Sequence, residues 1–425
     1  MNDTKLILEK PEYVKQALAK KLWDFDPEPV KELSARRIAL IQEVEANKAK
    51  QNELSASVPA LKKAGQDPTP VFMQVKQLAA ENKAKADELA EVEEKIRKIV
   101  VELPNIPDDD LLAGGKENNT PIAKFGEPHD FGFPIKDHVE LAESLGLIDY
   151  KRAAKISGTG TWVYTNLGAR LEWALLNYFI ETHLNDGYEM ILPPHILNYE
   201  SGFTAGQFPK FEEDVFWLEG MEPRKFILPT AETALVNLHR DEVLSASDLP
   251  KKYFAYTPCY RKEAGSYRTE ERGMIRGYQF NKVEMVQYTT EEGSDAAFEE
   301  MVKKARALLE GLGLVYQLDK LAAGDCSHSM ARTYDIEVWI PSMGIFKEVS
   351  SVSNARAYQA RRGMIRYRGE DGKMHFCHTL NGSGLATSRV FPALLEQNQQ
   401  ADGSVVIPEP LRKWMGGLEV IKPKK

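Results

Sequence analysis

The feature that most constrains the fold is a pair of hydrophobic stripes in the first hundred residues. Positions 33, 37, 40, 44, 47, 51, 54, 58 and 61 alternate by three and four and read Leu, Arg, Leu, Val, Asn, Gln, Leu, Val, Leu. A second series at 75, 78, 82, 85, 89, 92, 96 and 99 reads Val, Leu, Asn, Lys, Leu, Val, Ile, Ile. Steps of three and four return a side chain to one face of a helix, so each series is a seam. Between them Ala-Gly-Gln-Asp-Pro-Thr-Pro (64–70) is a helix breaker. Two seamed helices joined by a breaker fold back and bury their seams together, which predicts an antiparallel helical coiled-coil hairpin over about 29–101. At about 1.5 Å per residue, arms of about 35 residues reach roughly 50 Å. Pro59 falls inside the first arm and is expected to kink or end it there.

The polar members of the seam (Asn47, Gln51, Asn82 and Lys85) cluster in the half nearer the turn. The heptads alone leave register control and a surface role equally open. Charge shifts the balance. Over 46–85 seven lysines meet three acids, a net of +4 in a chain whose net charge is −8. A basic arm suits a phosphate backbone better than it suits an acidic body. Phe72 is the one aromatic residue near the turn, which favours shape and backbone contacts over base stacking.

The chain is long enough for two or three domains. No apolar run approaches the roughly 18 residues a membrane helix needs, and MNDTKLILEKPEYVKQ has no signal-peptide core. Three cysteines cannot build a disulfide framework, so a cytoplasmic location is expected. Proline, glycine and acidic residues over 104–121 mark a boundary between a domain at 1–110 and a second at 111–425. Within the second, 168–184 has helical apolar spacing. Strands are expected at 189–192 (stopped by Pro193-Pro194), 252–259, 277–288, 334–340 and 346–351. No glycine-rich turn opens a βαβ unit. The expected class is α+β with an antiparallel sheet.

Arg261 and Glu263 end one strand and, two apart, share a face. Arg276, Phe280 and Glu284 follow with even spacing on the next. Each set alone reads as a surface ion pair or half-buried packing. Together they offer cations, a ring and carboxylates on adjoining strands, a set suited to a triphosphate, a base and an amine. Glu348-Val349-Ser350-Ser351 adds a carboxylate and hydroxyls of the kind Mg²⁺ prefers. A glycine-rich segment, Thr379 to Arg389 (TLNGSGLATSR), closes the set; alone it is an ordinary glycine-rich loop.

With Thr230-Ala231-Glu232, these segments resemble the active site of seryl-tRNA synthetase, a class II aminoacyl-tRNA synthetase, and the resemblance covers nearly the whole chain. It implies the class II antiparallel-sheet catalytic domain, with motif 1 at about 168–194, motif 2 at about 252–288 and motif 3 at about 379–395. It places Arg261 on the α-phosphate of ATP and Arg276 on its γ-phosphate end. Lys262 falls in the same nucleotide-binding stretch, Glu263 on the adenine amino group, and Phe280 and Arg389 on the two faces of the ring. Arg261, Arg276 and Arg389 are thereby the expected catalytic residues. Glu348, Val349, Ser350 and Ser351 are placed against ATP, with Glu348 and Ser351 holding Mg²⁺. Thr230, Ala231, Glu232, Glu284, Asn381 and Ser383 form the serine pocket, with Gly382 and Gly384 permitting close backbone approach. Motif 1 implies a homodimer; on its own that stretch reads as a core helix with a strand behind it.

The implied activity is activation of L-serine with ATP and transfer to the 3′ end of tRNA(Ser), with the selenocysteine tRNA as a further partner the family takes where it exists. Two other readings stand beside it: a paralogue serving a carrier other than tRNA, which the basic hairpin argues against, and an inactive RNA-binding regulator, which the intact arginine and glutamate set argues against. The chain departs from the family at 324–332 (GDCSHSMAR), at 157–166 (SGTGTWVYTN) and at Tyr278, departures that bear on fine tRNA contacts and inhibitor sensitivity and leave the named catalytic residues unchanged. Cys326, His328, His375, Cys377 and His378 fit no common zinc spacing and read as core residues.

Overall fold

The computed structural model describes residues 1–263 and 273–423. They form two compact units: Asn2–Ala19 with Trp23–Leu103, and Met1 and Lys20–Leu22 with the chain from Pro104 onward. Among the described residues no helix is long and apolar enough to cross a membrane.

In the first unit two short helices, α1 (Thr4–Glu9) and α2 (Pro11–Lys20), precede α3 (Glu28–Lys63) and α4 (Thr69–Glu102), which pair as the hairpin. The stripe positions are the ones that are buried or half-buried, and residues between them are mostly exposed. Arg36–Glu88, Arg37–Glu93 and Lys85–Glu43 ion pairs join the arms. The last pair ties up one of the lysines that make the far half basic. Pro59 does not end α3, which runs four residues past it to Lys63. The carbonyl that loses its partner belongs to exposed Ser55, where water can replace the missing N–H.

The second unit is built on an eight-stranded sheet. Its strands are β1 (Thr120–Phe125), β2 (Glu189–Met190), β3 (Lys251–Tyr260), β4 (Gln279–Thr289), β5 (Tyr316–Lys320), β6 (Arg332–Ile340), β7 (Ile345–Asn354) and β8 (His378–Ala386). They lie in the order β1-β5-β6-β7-β8-β4-β3-β2. Every pairing is antiparallel except β2 with β3, which is parallel. The α+β class with a largely antiparallel sheet follows the alternation in the sequence. One face of the sheet is apolar. Val283, Met285, Ile336, Val338, Val352 and Leu380 bury against α5 (Leu167–Asn185), α7 (Ser294–Gly311) and α9 (Thr387–Gln397); α6 (Glu232–Leu235) and α8 (Tyr358–Gly363) are short helices elsewhere in this unit. The period of two then sends Lys282, Glu284, Thr333, Asp335, Ser351, Ser353, Asn381 and Ser383 to the opposite face.

The segment read as a glycine-rich loop is instead β8, a buried central strand, followed by α9. Its glycines make room for the helices behind the sheet. A Cβ on Gly382 would lie 2.8 Å from Met301 Sδ, and one on Gly384 2.2 Å from His183 Nε2.

Candidate active site

The polar face of the sheet is the floor of a cavity of about 630 Å³. Its motif 2 side begins where β3 ends. Arg261 N donates to Tyr278 O, which extends the β3–β4 ladder past Tyr260. That pairing holds the Arg261 guanidinium 5.3 Å from the centre of the Phe280 ring, and its Nε donates to Pro229 O at 3.2 Å. Arg276 precedes β4 rather than lying on it, yet reaches the same cavity, and its Nη1 donates to Glu263 Oε2 at 2.5 Å. Glu263 has φ of +54°, a left-handed conformation uncommon for a non-glycine residue. Lys262 does not join them. It is exposed and outside the cavity lining, because neighbouring residues of extended chain face opposite ways. Ala264, Gly265 and Arg272, quoted with this motif, lie outside the described residues.

The opposite side comes from β6, β7 and α9. Pairing of Ile336 with Ser350 and of Glu337 with Glu348 leaves Val349 as an extra residue, a β-bulge. In regular strand, residues three apart face opposite ways. The bulge restores Glu348 and Ser351 to one face, and Ser351 Oγ donates to Glu348 Oε1 at 3.1 Å. Val349 itself sends its side chain into the main core at 2% exposure, so it offers the cavity only backbone. Ser350 is spent structurally, donating to Ser383 O at 2.7 Å. Arg389 Nη1 donates to Glu348 O at 2.6 Å and lies 3.4 Å from its carboxylate. Burial alone would raise the Glu348 carboxyl, but Arg389, the Ser351 hydroxyl and Arg261 hold it below the ordinary range. Asp335, opposite Ser351, goes the other way: burial and then the Glu348 charge push it well up. Its Oδ1 is buried with no hydrogen-bond partner among the described residues. This oxygen-rich donor set fits a hard cation that keeps phosphate or water ligands. Among the described residues no group of three His, Cys, Asp or Glu side chains gathers to hold a metal by itself, the Cys326/His328 and His375/Cys377/His378 set included.

Between these sides lies a compact polar pocket. Glu284 is opposite Ser383 in the β4–β8 register. Asn381 Nδ2 donates to Glu284 Oε1 at 3.2 Å, and Lys282 Nζ lies against the other carboxylate oxygen. Lys282 also donates to Thr230 Oγ1 at 2.9 Å. Glu232 opens α6 and completes the ring. Burial, and then the neighbouring Glu284 charge, push the Glu232 carboxyl up to about 7, against Gln359, Lys282 and Arg261. Asn381 Oδ1 and Ser383 Oγ are buried without a hydrogen-bond partner among the described residues. Unpaired buried acceptors facing a cavity are what a polar ligand would satisfy. Ala231, expected in this pocket, is fully buried in a neighbouring apolar cluster, one residue out of phase with Thr230 and Glu232.

Sequence reasoning missed several lining residues. Lys282 had a signal, since it continues the even spacing of Phe280 and Glu284. Asp335 likewise alternates with Thr333 and Glu337 on β6. The 324–332 segment, where the chain departs from the family, lines the cavity through Asp325, Ser327, Ser329 and Met330. Its carbonyls are clamped: Lys21 Nζ donates to Ser327 O and Met330 O, and Asn105 donates to His328 O and Ser329 O. The 157–166 segment backs the Arg276–Gly277 turn, where a Cβ on Gly277 would lie 2.3 Å from the Trp162 ring.

Known proteins resemble this chain in sequence and in fold. The family model "tRNA synthetase class II core domain (G, H, P, S and T)" matches residues 216–398, and "Seryl-tRNA synthetase N-terminal domain" matches residues 1–107. A serine–tRNA ligase 2 of Clostridium acetobutylicum is 58% identical over 424 residues, covering 98% of this chain and 99% of that one. A serine–tRNA ligase of Desulforapulum autotrophicum is 44% identical, covering 99% of each. The crystal structure of seryl-tRNA synthetase from Pyrococcus horikoshii complexed with ATP superposes with a TM-score of 0.93 at 31% identity, over the full length of both chains.

Proposed function

This chain belongs to the seryl-tRNA synthetase family, and from that premise we propose how its residues activate L-serine with ATP and pass it to the 3′ end of tRNA(Ser). The observation that carries the reading is the pocket of Thr230, Glu232, Lys282, Glu284, Asn381 and Ser383 opening beside Arg261. Serine is small, with an ammonium, a carboxylate and a hydroxyl. Glu232 takes the ammonium, Glu284 with Ser383 takes the hydroxyl, and the serine carboxylate faces Arg261. A site that hydrogen-bonds a hydroxyl rejects alanine by roughly 10⁴–10⁵, because its own groups would be left unpaired.

In the first step a serine carboxylate oxygen bonds to the α-phosphorus of ATP, and the bond to the bridging oxygen breaks to release pyrophosphate. Arg261 neutralises the charge that gathers on the α-phosphate. Glu263 accepts from the adenine amino group, with Phe280 and Arg389 on the two ring faces. Arg276 turns from Glu263 to the γ-phosphate. Glu348 and Ser351 would hold Mg²⁺ together with phosphate oxygens, and the ion would offset triphosphate charge when bound. In the second step the terminal ribose hydroxyl of the tRNA attacks the adenylate carbonyl and AMP leaves.

The domain at 1–110 is read as the tRNA-binding part, with its hairpin gripping backbone and shape. The domain at 111–425 carries the chemistry. The motif 1 stretch supports a homodimer, because it exposes the apolar side chains of Trp173, Leu184 and Leu192, at 53%, 49% and 76% exposure, which pairing would cover. Three buried free cysteines suit a reducing cytoplasm. ATP–pyrophosphate exchange with each amino acid, followed by charging of tRNA, tests the proposal. Exchange with serine alone and seryl-tRNA formation are expected. Exchange without charging would indicate another carrier, and no exchange would leave an RNA-binding regulator.

A further inference from the structure

Glu232 is held from behind by a residue that does not line the cavity. Gln359 lies on α8, 1% exposed. Its Nε2 donates to Ala205 O at 2.9 Å and to Glu232 Oε1 at 2.8 Å, while its Oε1 accepts from Thr379 Oγ1 at 2.6 Å. These partners fix the orientation of the amide. Ala205 O can only accept, so the NH₂ end must face it, and the same NH₂ group then meets Glu232. Both amide hydrogens are used, and flipping the group would set its oxygen against Ala205 O and the Glu232 carboxylate. Such an arrangement places one permanent donor on one oxygen of a buried carboxylate and leaves its other oxygen to the cavity.

We propose that Gln359 is the positioning residue of the amino-acid site: it keeps Glu232 ionised and aimed at the ligand's ammonium group. The inference rests on the reading of Glu232 as the ammonium partner and extends it to a side chain the ligand never touches. Glu232 needs such support. It is buried and faces Glu284, with Lys282 from β4 and Arg261 from the end of β3 as the compensating cations. Its carboxyl sits at about 7, so a modest loss of support changes how much carboxylate is present near neutral pH. A donor to a buried charged acceptor is among the stronger hydrogen bonds, and removing it exposes the full desolvation penalty. The ATP side makes no use of Gln359, so the effect belongs to serine alone.

The test is ATP–pyrophosphate exchange by the full-length Gln359→Met and Glu232→Gln proteins from pH 6 to 8.5. Gln359→Met keeps the volume and removes the donor. Its KM for serine is expected to rise about tenfold at pH 7, with the KM for ATP and the saturating rate within about twofold of wild type. The gap should be widest below pH 7 and narrow towards pH 8.5, as the variant's Glu232 regains its charge. A structural role alone would move both KM values together and independently of pH, which overturns the proposal. Gln359→Glu, of equal size but with an acid beside Glu232, should raise serine KM at least as much. It decides the matter if the Met variant lacks a cooperative melt, and an unchanged serine KM there overturns the proposal. If Glu232→Gln raises serine KM and Gln359→Met does not, this inference fails while the Glu232 reading stands. An unchanged serine KM in Glu232→Gln removes both.

Discussion

Arg261 is fixed by backbone before any ligand arrives: its own N–H closes the β3–β4 ladder and its Nε is anchored on Pro229 O. A cation held this way needs no reorganisation when charge develops beside it, which is the condition under which such a group contributes most. Arg261→Ala should therefore lower the exchange rate by on the order of 10²–10³ with the melt unchanged. Near-normal exchange by a folded variant would remove Arg261 from the chemistry. Glu232 makes a prediction of opposite kind, about stability. Its folded carboxyl, at about 7, lies above the ordinary value of 4.5. Between those values the folded protein binds more protons than the unfolded one, so stability falls as pH rises. For this group the loss is on the order of 3 kcal/mol at most and is complete above about pH 7. Ligand-free Glu232→Gln should show a flatter fall in melting temperature between pH 5 and 7.5 than wild type; parallel curves would contradict the assignment.

Elements place these groups by register. Without the bulge at Val349, Glu348 and Ser351 would point to opposite faces of β7, and the Arg389–Glu348 contact would have no carboxylate to meet. The glycines of β8 act on the other face. Gly384 lets α5 approach until His183 Nε2 lies 3.2 Å from its carbonyl oxygen. Gly384→Ala puts a methyl carbon into that ring and should destabilise the fold by about 1–3 kcal/mol, as overpacked cores do. Trimming the obstacle should help: His183→Ala is expected to recover part of the loss in a Gly384→Ala background, seen as non-additivity in denaturant unfolding. Strict additivity would mean the contact is not what excludes a side chain at 384.

At the scale of the whole molecule two activities should come apart. The residues lining the cavity all lie beyond 110, whereas the basic stretch lies within 46–85. Replacing residues 30–100 by a short linker should leave serine-dependent exchange intact and abolish charging of tRNA. Binding of tRNA by the intact protein should weaken steeply with salt, as phosphate contacts release counterions. The Lys85–Glu43 pair makes the slope shallower than a lysine count suggests. Charging by the arm-deleted protein at the full-length rate would leave the hairpin as scaffold.

What the sequence determined by itself is what periodicity and local chemistry encode. The hairpin was legible because its seams repeat every three or four residues, and β3 and β4 because polar and apolar residues alternate where one face is buried. Arg261, Glu263, Phe280, Glu284, Asn381 and Ser383 could be named from motifs because each stands in a short run on a strand or just past the end of one. Tertiary structure decided the rest. Lys262, Ala231 and Val349 stood inside those runs, yet the phase of the chain or a bulge turned their side chains away from the cavity. The glycines of 379–389 look like a loop, since only the helices packed behind β8 explain why side chains are missing there. Lys282, Asp335 and the 325–330 wall are joined to the site across strands and clamps distant in sequence. Gln359, on α8, reaches Glu232 from 127 residues away, a contact no local pattern announces.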